Sequence, residues 1–465
     1  MPHSLSLWSF TFLLFFLTFF FLPIPTLQTT LISPVSKDKS TNLFTLSAYL
    51  KTPLQPTKLF LDLAFLFPWT LCDSKYKSSS YRYVDCDLTF CYYLGFGGPQ
   101  CSNCTEAGLP DPNCIIENRI CGAYPENSVT RVLDFDAALI DTLALPGADV
   151  STKNRLVSLS NYTFSCAHPS LLNGLPKGVT GLASLSRYNL SIPNQISSAL
   201  SVPNTFAVCF PGSSKSTGVA FFGSRGPYHA FSQNSKIDLS KSLIYTPLLV
   251  NPDGYGDTVL SYSGNPPSYE YFINLTSIRI NGQNVPINAS LLDFRSEGFF
   301  HGIGGTKFSS NTPYGHLESS IYKAFTKLFV KEAASSRFNL TASSPAKPFS
   351  VCYAAKSVKV TRLGPVVPTI DLELGGKKGV VWRIVGANSM VRVKNKKSKL
   401  DLWCLGFVDN GVSGVNNKTS IVIGAKQLEE NLMQFDVESN KLGFTSLLNS
   451  SLKCDHFNVT DFAKN

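Results

Sequence analysis

Short stretches in which apolar and polar residues alternate, broken every few residues by Gly, Pro, Asn or Ser, run through most of this chain. "NLFTLSAYLKTP", "SIRINGQNVPI" and "KPFSVCYAAKSVKV" are examples. A period of two places successive side chains on opposite faces of a strand, and the breakers supply turns, so the pattern predicts an all-β fold of antiparallel hairpins. Two stretches carry helical spacing instead: "SSIYKAFTKLFVKEAASS" (Ser319 to Ser336) and "AKQLEENLM" (Ala425 to Met433). Both read as amphipathic helices packed on sheets.

A chain of 465 residues exceeds one ordinary core, so two domains or one bilobal unit are expected. Apolar density falls at "AFSQNSKIDLSKS", around residues 230 to 245, which marks the boundary between halves. Charged residues make up only 15 % and aromatics 12 %, a globular composition and not a disordered one. The net charge of +10 suits acidic partners such as wall polymers and carries no information about fold.

The first residues, "MPHSLSLWSFTFLLFFLTFFFLPIPTLQTT", contain an apolar run from Leu5 to Leu22 followed by Pro23 and Pro25. This reads as a secretory signal peptide over residues 1–28, although its leading segment has only His3 and no Lys or Arg. A retained anchor is the alternative, since roughly 18 apolar residues can just span a bilayer. Twelve cysteines favour export: Cys72, Cys86, Cys91, Cys101, Cys104, Cys114, Cys121, Cys166, Cys209, Cys352, Cys404 and Cys454. An even number behind such a leader reads as a disulfide framework. A zinc site at Cys101 and Cys104 is the rival, but Cys114 and Cys121 stand at the wrong spacing for it. The segment from Cys72 to Cys121 holds seven of the twelve and predicts an irregular, stapled excursion. Nine glycosylation sequons point the same way, at Asn103, Asn161, Asn189, Asn274, Asn288, Asn339, Asn417, Asn449 and Asn458.

In "LFLDLAFLFPWTLCD", one ionisable residue sits inside the apolar run Leu59 to Phe67. Burying an unpaired carboxylate is costly, so Asp62 is either functional or satisfied by nearby donors. In a long-range echo, "GVTGLASLSRYNLSIPNQI" against "IVIGAKQLEENLMQF", each stretch has an apolar segment, a Gly and then a short helix-like segment. Together these stretches resemble the aspartic-protease superfamily, whose two lobes each contribute an Asp on a psi-shaped loop crossed by an apolar strand ending in Gly. The likeness is closer to one plant subgroup of it: basic 7S globulins, extracellular dermal glycoproteins and glycoside-hydrolase inhibitor proteins. "SSSYRYVDC", "CGAYPENSV", "TRLGPVVPTIDLEL", "VVWRIVGANSMV", "CLGFVDNGV" and "TSIVIGAKQLEENLMQFDVESNKLGF" carry it, from about residue 35 to about residue 460.

That resemblance implies a bilobal pepsin-like fold, all-β with a few short helices. Its N-terminal lobe would span 29–235, with the Cys-rich excursion at 72–121, and its C-terminal lobe 236–465. It also implies the bridges Cys352 with Cys404, Cys209 with Cys454 and Cys72 with Cys166. The pairing of the other six cysteines stays open.

Aspartic-protease chemistry needs two carboxylates that share one proton and activate a water. Each is followed by a hydroxyl and then a Gly. Here Asp62 is followed by Leu63 and Ala64, and the position matching the second Asp falls on Ser309, within Ser309-Ser310-Asn311. A Ser hydroxyl cannot share that proton. Asp293 and Asp371 have no hydroxyl-Gly successor, and residues 121–141 show no tyrosine-glycine flap tip. The resemblance therefore implies a vestigial dyad at Asp62 and Ser309 and no catalytic residue. The six histidines lack metal-ligand spacing and "GIGG" (Gly302 to Gly305) is followed by no helix within a turn, so no metal, cofactor or phosphate site is expected.

In the resembling subgroup, non-proteolytic members inhibit xylanases or endoglucanases through loops of the C-terminal lobe. A glycosidase cleft presents two carboxylates, which an inserted cation can engage. In the loop after "CLGFVD" the candidate is Lys418, next to the sequon at Asn417. "VRVKNKKSKLDL" adds Arg392, Lys394, Lys396 and Lys397 as a basic patch, whose bland reading is a solvated hairpin tip. Nucleic acid is not an expected partner, since the patch lacks interleaved aromatics. The function expected is a secreted, extracellular inhibitor of a wall-degrading glycoside hydrolase in plant defence. The alternative is a non-inhibitory storage or peptide-binding protein like the basic 7S globulins.

Overall fold

The structure is a computed structural model and describes residues 29–72, 76–86, 89–94, 100–102, 120–148, 155–232, 235–254, 266–298, 300–376, 379–395, 400–414, 418–457 and 459. Strands dominate it, and 20 of them join one continuous sheet system. The strand Gln55–Asp62 shows how the sequence dictates this. Leu59, Phe60, Leu61 and Asp62 are all buried, because the strand is covered on both faces. A strand covered on both faces loses the apolar-polar alternation and reads as an unbroken apolar run.

The internal echo is an internal duplication of topology. In the N-terminal lobe, Gln55–Asp62 pairs in parallel with Gly181–Ser184, which pairs antiparallel with Trp69–Leu71. In the C-terminal lobe, Thr306–Phe308 pairs in parallel with Ile421–Ile423, which pairs antiparallel with Gly315–Leu317. Each crossing strand needs a glycine for the same reason. A Cβ on Gly181 would lie 2.1 Å from the Trp69 carbonyl oxygen, and one on Gly424 2.1 Å from that of Tyr314. These are two psi loops built alike, and the fold is the bilobal pepsin-like one.

The lobes are stitched together by antiparallel pairing of Thr205–Cys209 with Asn431–Asp436. Phe206 stacks on Phe435 across that seam at 4.8 Å, and Tyr271 packs on Phe435 at 4.6 Å. The Cys209–Cys454 disulfide ties the C-terminal tail to the same strand. Cys72–Cys166 and Cys352–Cys404 are also bonded, as is Cys91–Cys121. Cys101 lies opposite Cys121 in a strand pair, and Cys86 is disulfide-bonded. Cys104 and Cys114 lie outside the described residues.

The helix Ser319–Ala333 forms as its spacing predicts, burying Ile321, Tyr322, Phe325 and Phe329. Glu318 caps it, accepting from the backbone N–H groups of Ser320 at 2.8 Å and Ile321 at 3.1 Å. The stretch Ala425 to Met433 departs from expectation. Its helix ends at Leu428, and Met433 lies on the strand Asn431–Asp436. Glu430 takes a left-handed φ of 54°, which breaks the helix and turns the chain into the interlobe strand. Among the described residues no helix is long and apolar enough to cross a membrane.

Candidate functional site

Asp62 closes the strand Gln55–Asp62 and is fully buried. Its Oδ1 accepts from the Ala64 N–H at 2.7 Å, and its Oδ2 accepts a short hydrogen bond from the Ser128 hydroxyl. Burial pushes its carboxyl above the usual range. The Ser128, Ala64 and Phe65 donors oppose that rise, and the charge of Glu270 adds to it. Behind Asp62, its carbonyl accepts from the Leu185 N–H at 2.7 Å, and the Leu185 carbonyl accepts from the Tyr271 hydroxyl at 2.9 Å.

The second loop follows Thr306–Phe308, so Ser309 stands where Asp62 stands in the first. The Ser309 N–H donates to the Ile423 carbonyl at 2.9 Å. Its hydroxyl donates to Asn311 Oδ1 at 2.5 Å and accepts from the Thr312 N–H at 3.2 Å. The loops meet at one bond: the Ser310 hydroxyl accepts from the buried Leu63 N–H at 2.9 Å. The return bond needs a side-chain acceptor at position 63, which Leu63 lacks.

A short hairpin, Glu126–Asn127 paired with Val132–Leu133, covers the site. Bonds within the hairpin and to neighbouring segments fix it. Asn127 Oδ1 accepts from Val129 and Thr130, and its Nδ2 donates to the Leu171 and Asn173 carbonyls at 2.8 and 2.7 Å. The Trp69 indole N–H donates to the Glu126 carbonyl at 2.9 Å. Ser128 is thereby aimed at Asp62, while Tyr124 packs aside against Phe135 at 4.9 Å.

Below the hairpin lies a cleft of about 240 Å³. Glu270 and Lys307 line it and pair at 2.6 Å. Lys418 lines it too, but its ammonium is turned inward. It lies 3.4 Å from Asp253 Oδ1, makes a short bond to the Asp253 carbonyl and is 11 % exposed. The basic strand is differently placed. Arg392 pairs with Asp401 at 2.7 Å and lies 4.9 Å from the Trp403 ring centre, and Lys394 is exposed in register with Asp401. Lys396 and Lys397 lie outside the described residues. Asp371, considered as a stand-in acid, is held by Arg383 at 2.7 and 2.8 Å. Asn161, Asn189, Asn288, Asn339 and Asn449 are exposed and Asn274 is half-buried; Asn103, Asn417 and Asn458 lie outside the described residues.

Sequence reasoning missed Ser128, Glu270, Lys307 and Asp253. Each meets its partner across 37 residues or more of chain, and no local pattern signals that.

Two psi loops from two like lobes, joined across one hydroxyl, define an aspartic-protease-like protein. Family models described as xylanase inhibitor N-terminal and xylanase inhibitor C-terminal match residues 44–224 and 270–446. The chain belongs to this xylanase-inhibitor-like family. It is 49 % identical over 441 residues to the probable aspartic proteinase GIP1 of Glycine max, covering 94 % of each chain. The solved structure of EDGP superposes with a TM-score of 0.81 at 40 % identity, over 93 % of this chain and 99 % of that one. The soybean basic 7S globulin does so at 0.73 and 27 %, with the same coverage.

Proposed function

We propose that this chain is a secreted glycoprotein of plant defence that binds and inhibits a wall-degrading glycoside hydrolase, a xylanase or endoglucanase, and cleaves no peptide itself. The observation that carries the reading is the pair of xylanase-inhibitor models spanning both lobes. The second half of the proposal rests on Ser309, a hydroxyl engaged with Asn311 where a proton-sharing dyad requires a carboxylate. The likeness to a protein named as a proteinase gives reason to test it directly.

The face that meets the target, on this reading, is the C-terminal lobe with its basic strand at Arg392 and Lys394, continued by Lys396 and Lys397. Exposed cations such as Arg392 and Lys394 steer association with an acidic cleft and act on the association rate. Lys418 would join them only by leaving Asp253. That buried ion pair favours a second reading, a non-inhibitory storage or peptide-binding protein like the basic 7S globulins.

The test is inhibition of a panel of xylanases and endoglucanases by the full glycosylated protein, at several salt concentrations, with a peptidase assay at acid pH alongside. Salt-sensitive inhibition that weakens in Arg392→Ala supports the first reading. Absence of binding across the panel favours the second. Peptide cleavage suppressed by a transition-state inhibitor of aspartic proteases would overturn the vestigial assignment of Asp62 and Ser309.

A further inference from the structure

Three Asn-Gly pairs occur in the chain: Asn173-Gly174, Asn281-Gly282 and Asn410-Gly411. A glycine nitrogen has no neighbouring Cβ to shield it, so it can close on the carboxamide carbon of the asparagine before it. Whether it does so in a folded chain depends on groups placed to take the proton and to steady the charge. The three pairs differ in this.

Asn410-Gly411 follows the strand Phe407–Asp409, and Asn410 lines the cleft. The Gly411 N–H donates to Asp409 Oδ1 at 2.9 Å, in the kind of turn where an Asp side chain bonds the backbone two residues on. The Ser319 hydroxyl donates to the same oxygen at 2.6 Å and fixes its orientation. A base therefore sits on the proton that the nucleophile must lose. Attack uses the face of the peptide plane, perpendicular to that N–H, so the base keeps the proton while the ring closes. On the other side, Asn410 Oδ1 lies 3.1 Å from His316 Nδ1. Burial holds His316 below its usual value. With its hydrogen on Nδ1 the neutral ring donates to the amide oxygen, where negative charge grows as the nitrogen attacks. The ends of the pair are held as well. The Asn410 N–H donates to the Leu317 carbonyl at 2.8 Å, and the Gly411 carbonyl accepts from the Ser319 N–H at 3.0 Å. Asp409 and Gly411 are exposed, so water reaches the site.

The other two pairs lack this arrangement. Asn281 and Gly282 both take left-handed φ, 51° and 85°, in the tight turn between Ile280 and Gln283. The Asn281 amide is held by Glu332 at 2.8 Å. Asn173 is tied through its N–H to the Ser170 carbonyl at 3.3 Å and through its carbonyl to Asn127 at 2.7 Å. Among the described residues, neither Gly174 nor Gly282 donates its N–H to a carboxylate.

From this contrast we infer that Asn410 is a site of self-catalysed deamidation, converted in the folded protein through a succinimide to aspartate and isoaspartate. The Gly411 nitrogen bonds to Asn410 Cγ, and its proton passes to Asp409 and on to the departing nitrogen. The Cγ–Nδ2 bond breaks and ammonia leaves. Water then opens the ring at either carbonyl. The product carries a carboxylate beside His316 where a neutral amide stood, so the cleft wall gains negative charge as the molecule ages. This holds under either reading of the function.

Peptide mapping by mass spectrometry of the full glycosylated chain, kept folded at neutral pH and sampled over time, tests the assignment. Asn410 is expected to convert at least about tenfold faster than Asn173 and Asn281, below the usual effect of a placed general base. In the reduced, denatured chain the three rates should converge. Asp409→Ser keeps an acceptor for the Gly411 N–H but no base, and should slow Asn410 about tenfold while leaving the other two pairs unchanged. His316→Leu leaves the turn intact and should slow it about fivefold, the worth of one hydrogen bond. No conversion at Asn410, equal rates at the three pairs in the folded chain, or an unaltered rate in either variant each overturns the proposal.

Discussion

The two psi loops have kept complementary halves of one design. The N-terminal loop keeps its carboxylate, Asp62, and has Leu63 where a hydroxyl would follow. The C-terminal loop keeps its hydroxyl, Ser310, and has Ser309 where a carboxylate would stand. Both lobes nevertheless retain the same strand crossing, and the one surviving hydroxyl bonds the backbone of the opposite loop. The difference separates two things that an aspartic protease combines. Joining the lobes needs a buried N–H to find an acceptor across the interface; sharing a proton needs two acids. On the function proposed above, the first requirement is met without the second. The room above the first loop is filled by Ser128 from the hairpin, which gives Asp62 a partner within its own lobe.

If the lobes are alike in their crossings, the largest effects should be equal on both sides. Gly181→Ala and Gly424→Ala each force a methyl against a backbone carbonyl that cannot move aside. Each should cost about 3 kcal/mol or prevent folding, measured by denaturant unfolding. Tolerance in one lobe alone would break the symmetry. The hydroxyls should then differ. Ser310→Ala strands the buried Leu63 N–H and should cost about 2 kcal/mol, whereas Ser309→Ala removes a bond within its own turn and should cost under about 1 kcal/mol. Equal losses would mean that the cross-lobe bond has no special weight.

Much of this fold could be read from the chain because its determinants are local. Alternation gave the strands, and the spacing of Ile321, Tyr322, Phe325 and Phe329 gave the long helix. The loop positions Asp62 and Ser309 were legible by likeness of motif. The site's electrostatics were not, because charge partners are chosen in space. Lys418 reads as an exposed loop cation until the fold brings up Asp253, 165 residues away. Ser128 reads as a turn residue until the hairpin is seen to rest on Asp62. The helix at Ala425 fails for a different reason: its spacing is helical, but strand pairing with Thr205–Cys209 claims the residues from Asn431 onward. Tertiary pairing there overrides local periodicity.

The smallest effect concerns the pH at which the first loop is most stable. Burial raises the folded carboxyl of Asp62 above its unfolded value. The folded state then holds a proton that the unfolded state releases, so this group's contribution to stability falls as pH rises from about 4 through the folded pKa, then levels. Asp62→Asn removes that titration while its amide can still bond Ser128 and accept from Ala64. The variant should be more stable than the parent at neutral pH, and the difference should vanish below about pH 4. Ser128→Ala should do the reverse, lowering stability at neutral pH more than in acid, because it deletes a donor that favours the ionised form. Melting temperatures of the three proteins between pH 3 and 8 decide the point. An Asn variant less stable at neutral pH than in acid would mean that Asp62 is ionised and well satisfied, and that the first loop retains more of an active carboxylate than its lost successor residues imply.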